Sequence, residues 1–395
     1  MSIFKVPLYR ILLLALCMPV PIVNAQINEN TKKIVLVPDI PGYHTLKCDF
    51  HMHTVFSDGH VWPSFRVNEA IRDGLDAISI TEHIDYEGFP EEIKKDYNKT
   101  YQIASKAALN KGLIVIPGVE ISPRVPPYHH NAIFVTDANK LPIGYMKSGK
   151  KQFVMKDNIT RQELMAPFNE AKSQNAFVFY NHPSYAWWDK KDTTVFTDFH
   201  QELLDKKILA GVEVVNSGVY NILAHQLAIK HGLTMVCNTD EHYDGSPRYA
   251  NTHRPMTLVF AKEKTAEGIR EALIARRTAL YFDDYIVARQ AEAEAFFKSA
   301  IKVTAERENR KGEHILKIKL SNNSDIPFKI KASADYDIEK YPLGQVTLKP
   351  QDTTTIILKA MWKYPVYASL RMDVLNVLVS PEEVLKTEFS IPTKN

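Results

Sequence analysis

The sequence of 395 residues contains little cysteine, little glycine and almost no net charge. Three cysteines exclude a disulfide-stapled scaffold and a cysteine-rich zinc module. Fifteen glycines and 22 prolines are too few for a fibrous or low-complexity chain. A net charge of +3 creates no overall field that attracts nucleic acid, and we favour no nucleic-acid partner. The hydrophobic fraction of 45% and the charged fraction of 24% are typical of a globular protein.

The first 25 residues are typical of a secretory signal peptide. Lys5 and Arg10 precede a short apolar stretch, and small residues at Val23-Asn24-Ala25 predict cleavage near Ala25. The stretch is interrupted by prolines, so it is too short for a membrane span, and no later run is long enough. Leu16 before Cys17 is bulkier than lipoprotein signals usually allow, which argues against lipid anchoring. We therefore expect a secreted or periplasmic protein without a membrane span after cleavage.

The remaining chain divides into two regions that differ in their pattern of apolar residues. After a lead-in at residues 26–44, short apolar runs alternate with amphipathic runs over residues 45–290. This alternation predicts an α/β fold with a parallel sheet that closes, or nearly closes, into a barrel. Residues 298–395 contain strand-like runs without helices, separated by turn sequences such as Asn322-Asn323-Ser324-Asp325. They predict a small C-terminal all-β sandwich domain.

The predicted elements of the barrel follow from the spacing of apolar residues. The predicted strands are Leu46–Phe50, Ala77–Thr81, Leu113–Pro117, Ala132–Val135, Phe177–Tyr180, Val212–Val215 and Leu233–Cys237, and Met256–Phe260 could add another. The predicted helices are Phe65–Gly74, Glu91–Lys111, Arg161–Gln174, Ile222–His231 and Thr265–Arg276.

Histidines and carboxylates gather directly after the predicted strands. These segments are Asp49-Phe50-His51-Met52-His53 with Ser57-Asp58-Gly59, Thr81-Glu82-His83, Pro117-Gly118-Val119-Glu120, His129-His130-Asn131, Asn181-His182-Pro183 and Asp240-Glu241-His242. The carboxyl ends of the parallel strands of such a barrel share one rim, so we expect these side chains to converge there. Residues two apart in an extended chain point the same way, so His51 and His53 face one place. The same holds for Asp240 and His242.

So many imidazoles and carboxylates need compensation, because burying a charge is costly unless it is paired or bound to a metal. Imidazole and carboxylate donors without thiolates favour zinc, manganese or iron. The candidates are too many for one tetrahedral site, so we predict two or three divalent metal ions that share a bridging carboxylate. Each motif alone is weak, since a His-x-His pair can be incidental and Asn-His-Pro can be a turn. The prediction depends on their joint position after strands.

The same motifs resemble the polymerase-and-histidinol-phosphatase (PHP) metallohydrolase superfamily. The Asp-x-His-x-His-Thr and Ser-Asp-Gly motifs, Thr-Glu-His, Pro-Gly-Val-Glu, Asn-His-Pro and Asp-x-His occur in family order between about Lys47 and Asp283. The resemblance implies a distorted (β/α)7 barrel with up to three metals at the carboxyl ends of the strands. It implies one site of His51, His53, Glu120 and Asp240, a second that shares Glu120 and adds His129 and His182, and a third of Asp58, His83 and His242.

One ligand position has two candidates. The stretch Pro126-Pro127-Tyr128-His129-His130-Asn131-Ala132 resembles a Pro-Pro-Gly-His-x-Asn-Ala stretch of secreted members that look like phosphodiesterases. This alignment favours His129 as the ligand and makes His130 its neighbour. Tyr128 stands where the family has glycine, which keeps His130 as the alternative.

The resemblance implies a hydrolase that acts on a small-molecule phosphoester, as a phosphodiesterase and also on phosphomonoesters. A hydroxide bridging two metals would attack phosphorus in line, without a separate catalytic residue. Glu82, Asp85 and Asn181 are candidates for orienting the ligands. The weaker candidates for substrate contacts are Arg124, Tyr185, Trp187, Arg248 and Arg254.

Two alternatives remain open at this stage. The same metal centre could hydrolyse a carboxyl or carbamate ester or an amide, as some relatives do. The chain could instead be a non-catalytic binding protein that acts through its C-terminal sandwich. A complete set of candidate ligands argues against the second alternative, because a decayed site should lose ligands first. The sequence leaves the oligomeric state open.

Overall fold

The computed structural model describes residues 34–148, 153–183 and 194–393. The predicted signal peptide, Tyr185 and Trp187 lie outside the described residues. Within those residues, no helix combines the length and apolarity that crossing a bilayer requires.

The first region alternates strands and helices, as its sequence pattern predicts. Its strands are β1 (His44–Asp49), β2 (Ala77–His83), β3 (Ile114–Ile121), β4 (His130–Ile133), β5 (Met146–Ser148), β6 (Phe153–Met155), β7 (Phe177–Tyr180), β8 (Leu209–Asn216), β9 (Val219–Tyr220), β10 (Thr234–Asn238), β11 (Met256–Ala261), β12 (Thr278–Phe282) and β13 (Tyr285–Ala288). Its helices are α1 (Pro63–Arg72), α2 (Tyr97–Ala108), α3 (Arg161–Ser173), α4 (Asp198–Asp205), α5 (Ile222–His231) and α6 (Ala266–Ile274).

Helix α7 (Gln290–Ala300) leads into a region built from strands. These strands are β14 (Ile301–Arg310), β15 (Glu313–Asn322), β16 (Phe328–Ala334), β17 (Asp337–Glu339), β18 (Gln345–Leu348), β19 (Thr353–Met361), β20 (Tyr367–Leu378) and β21 (Val384–Pro392). One sheet has the order β14-β15-β19-β17, and the other contains β18, β16, β20 and β21. The predicted all-β sandwich after the barrel is therefore confirmed.

Local sequence signals set the ends of several helices. Thr160 and Glu163 form a reciprocal capping box at the start of α3. The predicted start of α2 at Glu91 was wrong, because the Asp96 side chain accepts a hydrogen bond from Asn98 N and caps the helix there. The sequence patterns missed α4, which has only eight residues, and also the short strands β5, β6 and β9 and the β12–β13 hairpin.

The barrel strands follow the order β10-β8-β7-β4-β3-β2-β1-β11-β12-β13. β1, β2 and β3 are parallel to one another, and so are β7, β8 and β10. The expectation of a purely parallel sheet was wrong for β4 and β11, which run antiparallel to their neighbours. β4 follows β3 through a loop without a helix, and a short connection of this kind joins antiparallel strands.

The C-terminal region shares its sheet and its core with the barrel. β13 pairs in parallel with β20, through the partners Ile286–Val377 and Val287–Leu378. One hydrophobic cluster contains Leu258 of the barrel together with Ile318 of the sandwich. The described residues consequently form one compact unit.

Candidate metal centre

The nine predicted ligands lie together at the rim where the barrel strands end. The ends of β1, β2, β3, β7 and β10, and the loops after them, place these side chains. Neighbouring imidazole rings within the set have centroids between 4.3 and 5.7 Å apart. The structure therefore brings together residues from position 51 to position 242: His51, His53, Asp58, His83, Glu120, His129, His182, Asp240 and His242.

The carboxylate of Glu120 lies at the centre of this cluster and is fully buried. Its Oε2 atom is 3.6 Å from His51 Nε2 and 3.4 Å from His53 Nε2. The same oxygen is 3.0 Å from His83 Nδ1. The other oxygen, Oε1, faces the remaining imidazoles, at 3.0 Å from His129 Nδ1 and 3.7 Å from His182 Nε2. With one oxygen facing each side, Glu120 has the geometry of a bridging carboxylate.

Asp240 and Asp58 face the cluster from the other side. Asp240 Oδ1 lies 3.1 Å from His51 Nε2 and 3.2 Å from His53 Nε2. Asp58 lies 3.3 Å from His83 Nε2 and 3.2 Å from His242 Nε2 through its two oxygens. His53 lies between the two carboxylates, because its Nδ1 atom is 3.5 Å from Asp58 Oδ1.

The donor atoms form four overlapping groups, and within each group they lie within 4.8 Å of one another. The groups are His53, Asp58, His83 and His242; His51, His53 and Glu120; His51, His182 and Asp240; and His83, Glu120 and His129. Overlap of this kind suits neighbouring metal ions better than a single ion, since one ion takes about four to six ligands.

Within the described residues, three buried polar atoms of the cluster make no hydrogen bond of suitable geometry, although carboxylate oxygens lie nearby: His51 Nε2, His53 Nε2 and Glu120 Oε2. A buried polar atom without a partner is costly, so each such atom needs an explanation. The Nδ1 atom of His51 lies 2.8 Å from Glu213 Oε1, which favours a proton on Nδ1 and leaves Nε2 as the atom that would bind a metal ion. All three atoms are suitable metal donors, and the residues present therefore fit divalent metal ions.

The cluster also shifts the pKa values of its members strongly. Burial and the neighbouring His242 together lower the pKa of His53 to about 4, although Asp58 opposes the shift. Burial works against charge at Asp240 too, yet His51 and His53 hold the pKa of this carboxyl well below its ordinary value. The pKa of Glu120 is likewise lowered despite its burial, chiefly by His83 and His129. These carboxylates therefore stay ionised and available to cations.

Comparison with known proteins agrees with this geometry. A family model described as the PHP domain matches residues 49–265, which is more than half of the chain. The chain belongs to the PHP family. A second family model, described as an Ig-like domain, matches residues 301–390.

Two individual proteins extend the comparison. A crystal structure from Bacteroides vulgatus, described as a two-domain protein containing a predicted PHP-like metal-dependent phosphoesterase, is 36% identical. It has a TM-score of 0.79, and the match covers 91% of this chain and 98% of that one. An uncharacterised protein of Methanocaldococcus jannaschii is 27% identical over 208 residues, or 50% of this chain and 82% of its own length. The two-region architecture therefore occurs in another solved structure.

His129 rather than His130 faces the PHP cluster. His129 Nδ1 is 3.0 Å from Glu120, whereas His130 points into the layer of apolar side chains behind the sheet. The His130 ring stacks on Tyr180 at 4.8 Å and meets Phe168 edge-on at 5.1 Å. Burial there lowers the pKa of His130 well below its ordinary value. The alignment that favours His129 agrees with this arrangement.

The three candidate orienting residues lie next to the ligands. Asn181 Nδ2 donates a hydrogen bond to Glu120 Oε1 at 2.8 Å. Asp85 accepts from Ser122, whose hydroxyl lies 2.7 Å from His83 Nδ1. Glu82 accepts hydrogen bonds from Thr54 and Ser57 at the start of the loop that carries Asp58. Each of them fixes a ligand or the loop that holds it.

Sequence reasoning missed Glu213, although a signal was present. Glu213 is 1% exposed in the middle of β8, where its neighbours are apolar. Its Oε1 lies 2.8 Å from His51 Nδ1, and its Oε2 accepts from His182 N at 2.8 Å. A lone carboxylate within an apolar strand is itself a sign of a buried partner.

Two of the predicted ligands have a left-handed backbone, with φ of 25° at His182 and 54° at Asp240. Non-glycine residues rarely adopt this conformation outside functional sites and tight turns. At Gly59, a Cβ atom would lie 2.5 Å from Thr54 N, so the turn that presents Asp58 requires glycine. The backbone is therefore shaped around the ligands as well as the side chains.

The three arginines proposed as substrate contacts differ in position. Arg124 and Arg248 are exposed, and Arg248 donates to Ser217 O at 2.9 Å. Arg254 is only 2% exposed and pairs with Asp49 at 3.3 Å and Asp73 at 3.1 Å. A guanidinium enclosed by carboxylates supports the barrel from within, so Arg254 is a weaker candidate for a substrate contact than the two exposed arginines.

Proposed function

We propose that this protein is a metal-dependent phosphoesterase that acts on small-molecule phosphodiesters and, more slowly, on phosphomonoesters. The observation that carries this proposal is Glu120, whose two oxygens each face different imidazoles, and whose buried Oε2 lies beside two further buried donor atoms, His51 Nε2 and His53 Nε2. The similarity to a structure described as a predicted PHP-like metal-dependent phosphoesterase supports the class of reaction. The Pro126-Pro127-Tyr128-His129 stretch supports the diester, as in the secreted members that it resembles.

Two or three divalent ions, zinc, manganese or iron, would be held by the nine clustered side chains. When bound, such ions lower the pKa of a coordinated water and offset the charge that develops on a phosphoryl group. Glu213 holds His51 with its Nε2 lone pair facing the ions, and Asn181 fixes one oxygen of Glu120. The ligands also exclude water from the inner side of the centre, where the His51 and His53 side chains are fully buried.

The substrate would approach from the side of Asp58 and His242. Their side chains are 32% and 27% exposed, whereas His51, His53 and Glu120 are buried. Arg124 and Arg248, which are exposed, remain candidates for contacts with the phosphoester. Tyr185 and Trp187 remain candidates too and lie outside the described residues.

The proposal is tested by assay of the purified protein after metal removal and reloading with zinc, manganese or iron(II). The substrates are bis-(p-nitrophenyl) phosphate, p-nitrophenyl phosphate and p-nitrophenyl acetate. We expect metal-dependent turnover that is fastest with the diester. Faster turnover of the acetate would instead assign the centre to carboxyl ester hydrolysis. No turnover of any substrate by the fully metal-loaded protein would support a binding role.

We also propose that the protein is exported and that it loses its first residues near Ala25. The support is the order of basic start, short apolar stretch and small residues at Val23-Asn24-Ala25. Mass spectrometry of the protein from the periplasmic and extracellular fractions should find a mature chain that begins at Gln26. Recovery of only the uncleaved chain from the cytoplasm would contradict export.

A further inference from the structure

The proposed metal centre lies between the ends of two strands, β1 and β10, that do not pair with each other. Two segments carry ligands here: the segment after β1 (residues 50–60) and the segment after β10 (residues 239–245). In the described residues, β1 pairs with β2 and β11, and β10 pairs with β8, so no ladder joins β1 to β10. The two segments meet through one isolated bridge between Met52 and Glu241. We call this place the seam.

Few main-chain hydrogen bonds cross the seam directly. His53 N donates to Glu241 O at 3.0 Å, and Asp240 N donates to His51 O at 2.8 Å. A third bond crosses the seam where His60 N donates to His242 O at 2.7 Å. Such a small set of hydrogen bonds is easier to break than a continuous ladder, because the two segments can separate without breaking the strand pairs beside them.

A buried arginine from helix α1 joins the two segments. Arg66 is fully buried, and its Nε donates to the carbonyl oxygen of His53 at 3.0 Å. Its NH2 group donates to Glu241 O at 2.7 Å, and its NH1 group donates to Tyr243 O at 2.6 Å. All three nitrogens of one guanidinium therefore bind main-chain oxygens. One of these oxygens belongs to the segment after β1, and two belong to the segment after β10. The acceptors belong to, or directly follow, the ligands His53, Asp240 and His242.

The charge of this guanidinium is compensated within the barrel. Glu69, one turn along α1, pairs with Arg66 NH1 at 2.9 Å and accepts from Gly245 N at 2.8 Å. Arg254 lies 3.7 Å from Glu69 and 3.3 Å from Asp49. Asp49 in turn accepts from the hydroxyl of Thr239 at 2.6 Å, across the same seam. A buried charge is stable only in such a paired and hydrogen-bonded setting.

We propose that Arg66 is a positioning residue of the metal centre, which holds the ligands on both sides of the seam at their binding separation before metal arrives. The inference rests on the proposed metal centre. A planar guanidinium offers five donors in a fixed arrangement, so it can hold three carbonyl groups at set distances from one another. An ammonium group is a point charge on a flexible stem and cannot impose that separation.

The first experiment compares metal binding by Arg66→Lys and by the double variant Arg66→Gln/Glu69→Gln with the wild type. The double variant removes both partners of the ion pair, so it leaves no unpaired buried carboxylate. Zinc affinity is measured by competition with a chromophoric chelator, and unfolding of the metal-free proteins is followed by circular dichroism. The matched control is Arg72→Gln on the same helix, since Arg72 binds Asp73 and Ser246 and no ligand segment.

We expect both Arg66 variants to bind at least one zinc ion about 10–100-fold more weakly, as is usual when a partner that orients a ligand is lost. Arg66→Lys should retain part of the affinity, and Arg72→Gln should match the wild type. Wild-type affinity in both Arg66 variants would overturn the proposal. A lack of metal binding by the wild type itself would instead contradict the proposed metal centre.

The second experiment keeps the proposal testable even where a variant unfolds. Hydrogen exchange is followed in the metal-free wild type at the amides of His53 and Asp240, which cross the seam. We expect protection of both amides without metal, close to that of the β2–β3 ladder. In Arg66→Lys both should exchange at least about 10-fold faster while the ladder is unchanged. Rapid exchange at the seam of the metal-free wild type would overturn the proposal, because metal and not Arg66 would then close it.

Discussion

The barrel rim and the Ig-like region bury very different kinds of polar groups. The rim buries ionisable side chains beside one another, such as His51, Glu120 and Glu213. In the described part of the Ig-like region, the buried polar side chains include amides and hydroxyls such as Asn322 and Asn376. Its charged pairs lie at the surface instead, as between Lys319 and Glu306 or Arg371 and Asp335 (both pairs exposed).

The buried polar groups of the two regions therefore have different roles: those at the rim suit metal binding, and those of the Ig-like region stabilise the fold. Asn376 meets its hydrogen-bonding needs within the chain, because it donates to Asp284 O and Pro327 O and accepts from Lys329 N. His51 and Glu120 do not, since each keeps a buried atom without a hydrogen-bond partner. Such atoms also occur elsewhere in the described residues, as at His314 Nδ1, but at the rim Glu120 Oε2 faces two of them, on His51 and His53, which suits a metal centre.

Shortening the chain to end at Asp283 should have the largest effect on folding, because it removes the Ig-like region and leaves the barrel alone. The shortened chain would lose β13, β20 and the sandwich half of a shared hydrophobic cluster. We expect loss of soluble, cooperatively folded protein, measured by expression yield and circular dichroism. A soluble and fully active product would show that the barrel folds independently of the Ig-like region.

The next largest effect is expected when one carboxylate is removed from the rim, and the matched control removes one carboxylate from the Ig-like region. Asp240→Ala removes an anion that faces His51 and His53, so we expect loss of bound metal and of at least about 100-fold in turnover. Asp335→Ala removes one partner of an exposed ion pair, and it should change stability by about 0.5 kcal/mol or less. Metal analysis and steady-state kinetics check both variants. Undiminished metal content in Asp240→Ala would remove Asp240 from the centre.

Smaller effects are expected when the buried partners are changed. Glu213→Gln should weaken metal binding about 10-fold, because Gln holds the His51 ring less firmly. Asn376→Ala should leave metal binding unchanged and lower the free energy of unfolding by about 1–3 kcal/mol, since it exposes unsatisfied main-chain groups. Chelator competition and urea unfolding measure the two quantities. Equal effects of both changes on metal affinity would erase the distinction between the regions.

The last prediction concerns the pH dependence of stability and a histidine of the barrel that lies outside the cluster. Burial lowers the pKa of His200 to about 4, against an ordinary value of 6.5. The unfolded chain therefore binds this proton more readily, and the free energy of unfolding should fall as pH decreases from 6.5 to about 4. His200→Gln keeps a capping-box partner for Thr197 and should reduce this fall by about 1–3 kcal/mol.

The pH prediction is measured by urea unfolding between pH 7 and pH 4 in the presence of a chelator. The chelator removes any contribution from metal release at low pH. An identical pH dependence in wild type and His200→Gln would contradict the assigned cause of the acid sensitivity.

Much of the candidate site was accessible from sequence because its signals are local. Most candidate ligands stand at or shortly after the end of a strand, as with His83 at the end of β2, and the rim of an α/β barrel gathers strand ends. Glu213 was missed because a single glutamate in an apolar strand does not indicate which residue it contacts, here His51. The distance between these two residues along the chain hides a contact of 2.8 Å.

The structural arginines were not predictable for a related reason. Arg254 lies close in sequence to His242 and suggested a substrate contact, yet its partners Asp49 and Asp73 come from the other side of the seam. Arg66 gave no signal, because its acceptors are main-chain carbonyls that every residue has. Strand direction in β4 and β11 was also hidden, since the period of apolar residues does not depend on direction.

Anomalous scattering from a crystal grown with zinc or manganese tests the central claim most directly. The account predicts two or three peaks enclosed by the nine clustered side chains, with Glu120 between two of them. Peaks confined to the protein surface, or a cluster without any peak in a fully loaded crystal, would contradict it.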